Sequence, residues 1–139
     1  MFNKISIIGC GLIGSSILRA ARKKKVSKLI YVYDKSKDAT SFLKDKKLSE
    51  NVTNDIPSAV KDSELIIIAS PLSSYKEIFL LIKDHLKEGT IITDTGSVKR
   101  EANKIVQGFN LKNVSWIPSH PIAGTEESGP GSGFAELFE

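Results

Sequence analysis

The sequence has 139 residues, which is enough for one domain with a single hydrophobic core. Hydrophobic residues make up 40% and charged residues 26%, an ordinary composition for a soluble globular protein, and no apolar run approaches the roughly 20 residues that a membrane span needs. The net charge of +4 does not indicate a nucleic-acid partner, because the densest basic run, residues 22–25, falls where the first helix should end and complements its dipole. The single cysteine excludes an internal disulfide framework and suits a reducing compartment. We therefore expect a cytoplasmic protein with neither a nucleic-acid nor a membrane partner.

Segments typical of strands and helices alternate along the chain, which predicts a parallel sheet covered by helices. The expected strands are residues 5–8, 29–33, 51–53, 65–69, 90–93 and 115–117. The expected helices are residues 13–22, 39–46, 74–86 and 98–106, with Gly89 as the stop of the third, and residues 131–139 predict a loop that enters a short helix. The predicted fold class is α/β, a Rossmann-type parallel sheet with helices on both faces, in one domain over residues 1–139.

A glycine-rich turn lies between the first expected strand and the first expected helix. Gly9 suits the tight turn off the strand, Gly11 lets a pyrophosphate approach the backbone, and Gly14 allows close packing of helix on strand. The pyrophosphate would then contact the amides of Leu12 and Ile13 at the positive end of the helix dipole. The spacing therefore predicts a dinucleotide-binding turn.

Asp34 ends the second expected strand, twenty positions after Gly14, where dinucleotide folds place an acidic partner of the adenosine ribose. Its carboxylate would accept bonds from both ribose hydroxyls and repel a 2′-phosphate, so the predicted cofactor is NAD. Lys35, Ser36 and Lys37 follow directly and leave NADP as an alternative.

The ends of later strands should face the same crevice, because ligands bind beyond the carboxyl ends of parallel strands. Ser70 and Pro71 follow the fourth strand, and we expect them to contact the cofactor. Ser97 precedes a helix, which predicts an N-cap, and the same hydroxyl can also reach a ligand from the end of the strand. His120 follows the sixth strand in a glycine-bearing loop and is the candidate base, whereas His85 should be a solvated residue near a helix end. No metal site is predicted.

Three motifs together resemble the prephenate/arogenate (cyclohexadienyl) dehydrogenase family, and the resemblance covers essentially the whole chain. They are Gly-Cys-Gly-Leu-Ile-Gly-Ser-Ser at 9–16, Asp-Thr-Gly-Ser-Val-Lys at 94–99, and Ser-His-Pro-Ile-Ala-Gly-Thr-Glu at 119–126 with Ser-Gly at 128–129. Phe-Ala-Glu-Leu-Phe at 134–138 is also similar to that family. The first motif is shared with many dehydrogenases, and the second and third are more specific.

The resemblance implies an NAD(P)-dependent oxidative decarboxylation of prephenate or arogenate on the route to tyrosine. It implies that His120 is the catalytic histidine, and neutral imidazole is a suitable proton acceptor near pH 7. It also implies that Ser97 orients the histidine and the substrate hydroxyl. The substrate is left open between prephenate and arogenate.

Members of that family carry a helical C-terminal domain, which makes the homodimer and supplies a cation for the substrate carboxylates. We expect this chain to be the cofactor-binding half, truncated before that domain and inactive alone. Two alternatives remain at this point: a stand-alone NAD(P)-binding module without catalysis, and another hydroxyacid dehydrogenase of related fold. The β-hydroxyacid dehydrogenases typically use a lysine base, so His120 disfavours the second alternative.

Overall fold

A computed structural model describes residues 1–121 and 128–138. Within these residues the strands are β1 (Phe2–Ile8), β2 (Ser27–Tyr33), β3 (Asn51–Thr53), β4 (Leu65–Ile68), β5 (Ile91–Asp94) and β6 (Ser115–Ile117). The α-helices are α1 (Leu12–Lys24), α2 (Lys37–Asp45), α3 (Ile56–Val60), α4 (Tyr75–Ile82) and α5 (Lys99–Phe109). Short 3₁₀ helices occupy Leu72–Ser74, Pro130–Ser132 and Ala135–Phe138.

The strands form one parallel sheet in the order β3-β2-β1-β4-β5-β6, with a separate apolar layer on each face. Neighbouring strand residues alternate between the layers: Ile7 packs with α1 and α2 through Leu18 and Leu43, whereas Ile8 packs with α3, α4 and α5. In β1 the residues from Lys4 to Ile8 are buried, so this central strand is covered on both faces of the sheet. The predicted α/β fold with helices on both faces is confirmed.

The register brings the carboxyl ends of the strands to one edge. Ile8 pairs with Tyr33 on one side and with Ile68 on the other, and Ile68 pairs with Asp94. The segments that leave β1, β2, β4 and β5 therefore start side by side. This edge is where the predicted site residues lie.

One helix was not predicted from the sequence. Helix α3 has only five residues, and the Asp55 side chain caps it by accepting a hydrogen bond from the Ser58 amide at 3.1 Å. Its apolar residues Ile56, Ala59 and Val60 are buried in the core. A single turn is too short to show a helical period, so hydrophobic spacing gave no signal for it.

The end of α4 was predicted wrongly. The helix ends at Ile82 rather than at residue 86, because the chain turns there with the His85 amide donating to the Ile82 carbonyl at 2.9 Å, and Leu86 packs against the core. Gly89 is therefore not the helix stop. It has φ +83° and donates to the Asn113 carbonyl at 2.7 Å, so it serves the turn before β5. His85 is exposed, as expected.

No helix within residues 1–121 and 128–138 is long and apolar enough to cross a membrane. The basic run lies where the sequence placed it, with Arg22, Lys23 and Lys24 in the last turn of α1 and Lys25 in the left-handed conformation at its C-cap. Cations at this position stabilise the helix, because they interact with the negative end of its dipole.

Candidate functional site

The turn after β1 is shaped by backbone contacts that exclude a side chain at Gly9. Its φ is +95°, and its amide donates to the Tyr33 carbonyl at 2.8 Å. A Cβ at Gly9 would lie 2.5 Å from Ser70 Oγ and 2.7 Å from the Ala69 carbonyl oxygen. Both the conformation and the space therefore require glycine at this position.

The other two glycines of the turn differ in what surrounds them. A Cβ at Gly14 would lie 2.0 Å from the Gly9 carbonyl oxygen, so α1 packs directly against the turn. No atom of the described residues lies within 4 Å of the Cβ position of Gly11. Gly11 is also the N-cap of α1, whose start has no side-chain cap and no acidic residue within the described chain. The helix thus opens onto free space with amide donors directed outward, which suits an anion.

The Asp34 carboxylate is fixed against this turn. One oxygen accepts a hydrogen bond from the Cys10 amide and the other from the Ser36 amide, both at 2.8 Å. Each carboxylate oxygen has a second lone pair for a ligand hydroxyl. Cys10 itself is buried, and burial together with the Asp34 charge raises the pKa of its thiol to about 12. Cys10 therefore fills the turn and is not a reactive thiol.

A pocket of about 460 Å³ extends along the sheet edge over the turn and the end of β2. Most of the predicted cofactor residues line it: Gly9, Gly11, Leu12, Ile13, Asp34, Ser70 and Pro71. Gly14 does not, because it packs beneath the turn. The volume is within the range of small-molecule and cofactor sites.

The sequence reasoning missed the apolar wall of this pocket. It comes from Ile56 of α3, and from Ile78 and Leu81 of α4, with Tyr33 at the end of β2. These residues offer a surface for a flat ring beyond Asp34. Their only sequence signal is ordinary hydrophobicity, which does not distinguish a pocket wall from a core position.

Ser70 lines the pocket but uses its hydroxyl proton within the protein. Its Oγ donates to the Ile8 carbonyl at 3.0 Å, which ties the end of β4 to the end of β1. Pro71 follows with φ −58° and begins the short helix at Leu72–Ser74. The Ser70 hydroxyl can therefore accept a hydrogen bond from a ligand but not donate one. Its bond within the protein holds the ends of β1 and β4 together.

Ser97 and His120 lie on a second, adjoining pocket of about 340 Å³. The two pockets share Ile13, Ser70, Pro71 and Thr95 in their linings. Both candidate residues are exposed, and their side chains are not hydrogen-bonded to each other in the described part of the structure. The fold therefore brings them to one cavity next to the glycine turn.

The expected capping role of Ser97 is wrong. Val98 is the N-cap of α5, and no side chain among the described residues caps this helix. Ser97 lies one residue before the cap with its side chain exposed at the pocket. Its hydroxyl is therefore available to a ligand.

Asp94, at the end of β5, is completely buried and gathers donors from several segments. One carboxylate oxygen accepts from Tyr75 Oη at 2.7 Å and from the Gly96 amide at 3.3 Å. The other accepts from Lys99 Nζ at 2.5 Å and from the Ser119 amide at 3.1 Å. Burial and the bond to Asp94 raise the pKa of the Tyr75 hydroxyl, which keeps it protonated as a donor.

The C-terminal described segment covers the side of the turn. Ser128 and Gly129 line the larger pocket, and Arg19 of α1 holds this segment by donating to the Pro130 carbonyl at 2.9 Å. The Phe134 amide donates to Ser16 Oγ at 3.0 Å. The sequence placed a loop and a short helix here but did not indicate this docking. Residues 122–126 of the third motif lie outside the described residues.

Comparisons with known proteins find similar sequences along the whole chain. A family model described as prephenate dehydrogenase, nucleotide-binding domain, matches residues 17–139. The chain is 42% identical over its full length to a cyclohexadienyl dehydrogenase of Zymomonas mobilis subsp. mobilis, of which it covers 47%. It is 33% identical over 138 residues, or 98% of the chain, to a prephenate dehydrogenase of Lactococcus lactis subsp. cremoris, of which it covers 38%.

The fold is also similar to a solved structure, that of A. aeolicus prephenate dehydrogenase in complex with hydroxyphenyl propionate and NAD+. The TM-score is 0.82 at 24% identity, covering 100% of this chain and 48% of that chain. The chain thus spans about half the length of the proteins it matches, or less. The family match over most of its residues shows that the chain belongs to the prephenate dehydrogenase family and corresponds to the nucleotide-binding domain.

Proposed function

We propose that this chain binds NAD and is the cofactor-binding half of an enzyme that oxidatively decarboxylates prephenate or arogenate. The observation that carries the proposal is the junction of the two pockets, since it puts Ser97 and His120 beside the glycine turn. The Zymomonas and Lactococcus relatives, a cyclohexadienyl dehydrogenase and a prephenate dehydrogenase, support the same reaction class.

The residues present fit a dinucleotide. The open space at Gly11 and the uncapped start of α1 suit a pyrophosphate, with the amides of Leu12 and Ile13 as donors. The Asp34 oxygens, already oriented by two backbone amides, suit the ribose hydroxyls. The A. aeolicus structure of similar fold contains NAD+, which supports the same cofactor here.

The charges around the ribose position favour NAD over NADP. Asp34 and Glu77 both line the pocket, and Asp38 lines the space on the other side of Asp34. Burial raises the pKa of the Tyr33 hydroxyl, and nearby carboxylates, Asp34 and Glu77 among them, raise it further. Lys35 also lines the pocket, and its positive charge offsets part of the negative charge of these carboxylates. A 2′-phosphate would therefore meet more negative than positive charge.

In the proposed reaction the bound dinucleotide supplies the acceptor for the hydride that leaves the ring carbon bearing the 4-hydroxyl. The His120 imidazole accepts the proton of that hydroxyl as the carbon–oxygen double bond forms. The Ser97 hydroxyl orients the reacting oxygen from the same pocket. Loss of the ring carboxylate as carbon dioxide then pushes its bonding electrons through the ring onto that oxygen, which takes back a proton as the ring becomes an aromatic phenol.

The substrate carboxylates need a cation that we propose lies in a helical domain of the complete enzyme, together with the homodimer contact. Lys99 is the lysine nearest in sequence to Ser97, and its ammonium pairs with buried Asp94 instead. Contacts to remote parts of a substrate position it for reaction. We therefore expect residues 1–139 alone to bind NAD but to turn over neither prephenate nor arogenate.

A chimera tests the proposal directly. Residues 1–139 replace the matched part of the Zymomonas relative, which keeps the remainder of that protein. We expect NAD-dependent formation of the aromatic product from prephenate or arogenate by the chimera, and calorimetric NAD binding by the chain alone. A folded, NAD-binding chimera without turnover would contradict the proposed reaction and favour a binding module. Robust turnover by residues 1–139 alone would contradict the division into two halves.

A further inference from the structure

We infer that Asp94 is a positioning residue, which holds the loops carrying Ser97 and His120 in fixed places at the sheet edge. The inference rests on the proposed function only for the roles of those two side chains. Asp94 is 0% exposed and contacts neither pocket, so any effect on the reaction must pass through the loops.

The two loops reach Asp94 through residues adjacent to the candidate catalytic ones. The Gly96 amide, next to Ser97, donates to one carboxylate oxygen, and the Ser119 amide, next to His120, donates to the other. One buried carboxylate thus bridges two segments that are more than twenty residues apart in sequence.

The His120 side of this bridge has further bonds. Ser119 Oγ donates to the Asp94 backbone carbonyl at 2.5 Å and lies 3.1 Å from Thr93 Oγ1. The residue before His120 is therefore tied to the end of β5 through both its backbone and its side chain. His120 itself is exposed, so these bonds at Ser119 set where its loop leaves the sheet.

The Ser97 side is held by close packing. A Cβ at Gly96 would lie 2.6 Å from Tyr75 Oη and 3.1 Å from an Asp94 carboxylate oxygen. The backbone therefore passes directly against the Tyr75–Asp94 pair. This contact fixes the residue before Ser97.

A carboxylate is needed at position 94 because all four described groups that bond to its two oxygens are hydrogen-bond donors. They are the Tyr75 hydroxyl, the Gly96 amide, the Lys99 ammonium and the Ser119 amide. An ionised carboxylate only accepts, whereas an asparagine would direct its NH₂ group at one pair of donors. Lys99, with 28% of its side chain exposed, supplies the countercharge for the buried group.

The test compares Asp94→Asn with Thr90→Val. Thr90 is also buried and lies directly before β5, at the end away from Asp94, with its hydroxyl 2.8 Å from the Ser63 carbonyl oxygen and 2.7 Å from the Lys87 carbonyl oxygen. Thr90→Val thus removes buried hydrogen bonds without touching the loops. We expect hydrogen exchange at the Gly96 and Ser119 amides of residues 1–139 to accelerate about tenfold or more in Asp94→Asn. The same amides should exchange at the wild-type rate in Thr90→Val.

Three further readouts separate positioning from general destabilisation. In Asp94→Asn the amide resonances of Ser97 and His120 should shift, while the NAD dissociation constant of the chain stays within about twofold. In the chimera, kcat should fall about tenfold or more with little change in the KM for NAD. Unchanged loop amides and kcat in a folded Asp94→Asn protein, or equal disturbance by Thr90→Val, would overturn the inference.

Milder variants decide the matter if Asp94→Asn does not fold. Tyr75→Phe removes one donor to the carboxylate, and Ser119→Ala removes the bond to the Asp94 carbonyl together with the contact to Thr93 Oγ1. Both variants should shift the amide resonances of Ser97 and His120 in the same direction as Asp94→Asn, but by less. If neither variant shifted these resonances, the inference would be overturned. Because the amide measurements need no substrate, a loop response beside an inactive wild-type chimera would support positioning while contradicting the proposed reaction.

Discussion

The glycine turn after β1 and the loops after β5 and β6 occupy the same sheet edge but obtain their shape in different ways. In the turn, backbone atoms set the geometry, since a Cβ at Gly9 or Gly14 would collide with neighbouring carbonyl oxygens. In the loops, the buried Asp94 side chain collects backbone amides from both segments. Glycine positions that leave no room for a side chain are thus the main determinant of the turn, whereas one buried carboxylate joins the two loops.

This difference separates cofactor binding from turnover. A change within the turn should alter the affinity for the dinucleotide, whereas a change in the loops should alter the proposed reaction and leave affinity alone. His120 lies on the smaller pocket, and Asp34 lines the larger one. If the two regions are independent, a substitution in one of them leaves the property that depends on the other unchanged.

The largest effect is expected for His120→Asn in the chimera with the Zymomonas relative. Asparagine keeps a polar group but cannot act as the base, and removal of a general base lowers rates roughly 10²- to 10⁴-fold. NAD affinity, measured by calorimetry, should be unchanged, because the turn and Asp34 lie on the other pocket. Near-normal turnover, or a loss of NAD binding as large as the loss of rate, would mean that His120 is structural.

The next largest effect is expected for Gly11→Val, which should abolish measurable NAD binding without unfolding the chain. The new side chain has free space in the protein, and it would occupy the proposed pyrophosphate position. Gly14→Val should instead unfold the turn, because its Cβ would overlap the Gly9 carbonyl oxygen. Gly108→Val, at an exposed position of α5 with no described atom within 4 Å of its Cβ position, is the matched control for valine in place of an uncrowded glycine. Normal NAD binding by Gly11→Val would contradict the assignment of the turn.

The sequence predicted the turn better than the loops, because local backbone sterics shape the turn whereas long-range side-chain bonds shape the loops. The spacing of Gly9, Gly11 and Gly14 is a local pattern that follows from backbone sterics, and each glycine has the surroundings expected of it. The bonds of Asp94 join residues up to 25 positions apart, and no local period shows them. The short helix α3 was missed because one turn carries no periodicity.

A smaller effect is expected for cofactor choice. We expect the chain to bind NAD about tenfold or more tightly than NADP, a difference of ~1.4 kcal/mol or more. The reason is the negative charge of Asp34 and Glu77 around the ribose position. Calorimetric titration with both cofactors measures the ratio, and Asp34→Asn should reduce it. Lys76→Gln, on the exposed side of α4, is a charge-changing control that lines neither pocket. Tighter binding of NADP would show that Lys35 or Lys37 dominates the local field.

The smallest effect is expected at Cys10, inside the turn itself. Burial, and then the Asp34 charge, raise the pKa of its thiol from an ordinary 9.0 to about 12, so the folded protein keeps it neutral at pH 8. Only the thiolate reacts with iodoacetamide, so alkylation at this pH should proceed only through opening or unfolding of the chain. Mass spectrometry should therefore find no rapid labelling in buffer and complete labelling in urea, with Cys10→Ala as the blank. Because the raised pKa favours the protonated form, the stability it contributes is present below the unfolded pKa and is lost as the pH rises toward 12. Rapid labelling of folded protein at pH 8 would show that the turn opens readily, and the contrast between a rigid turn and the exposed loops that carry Ser97 and His120 would then fail.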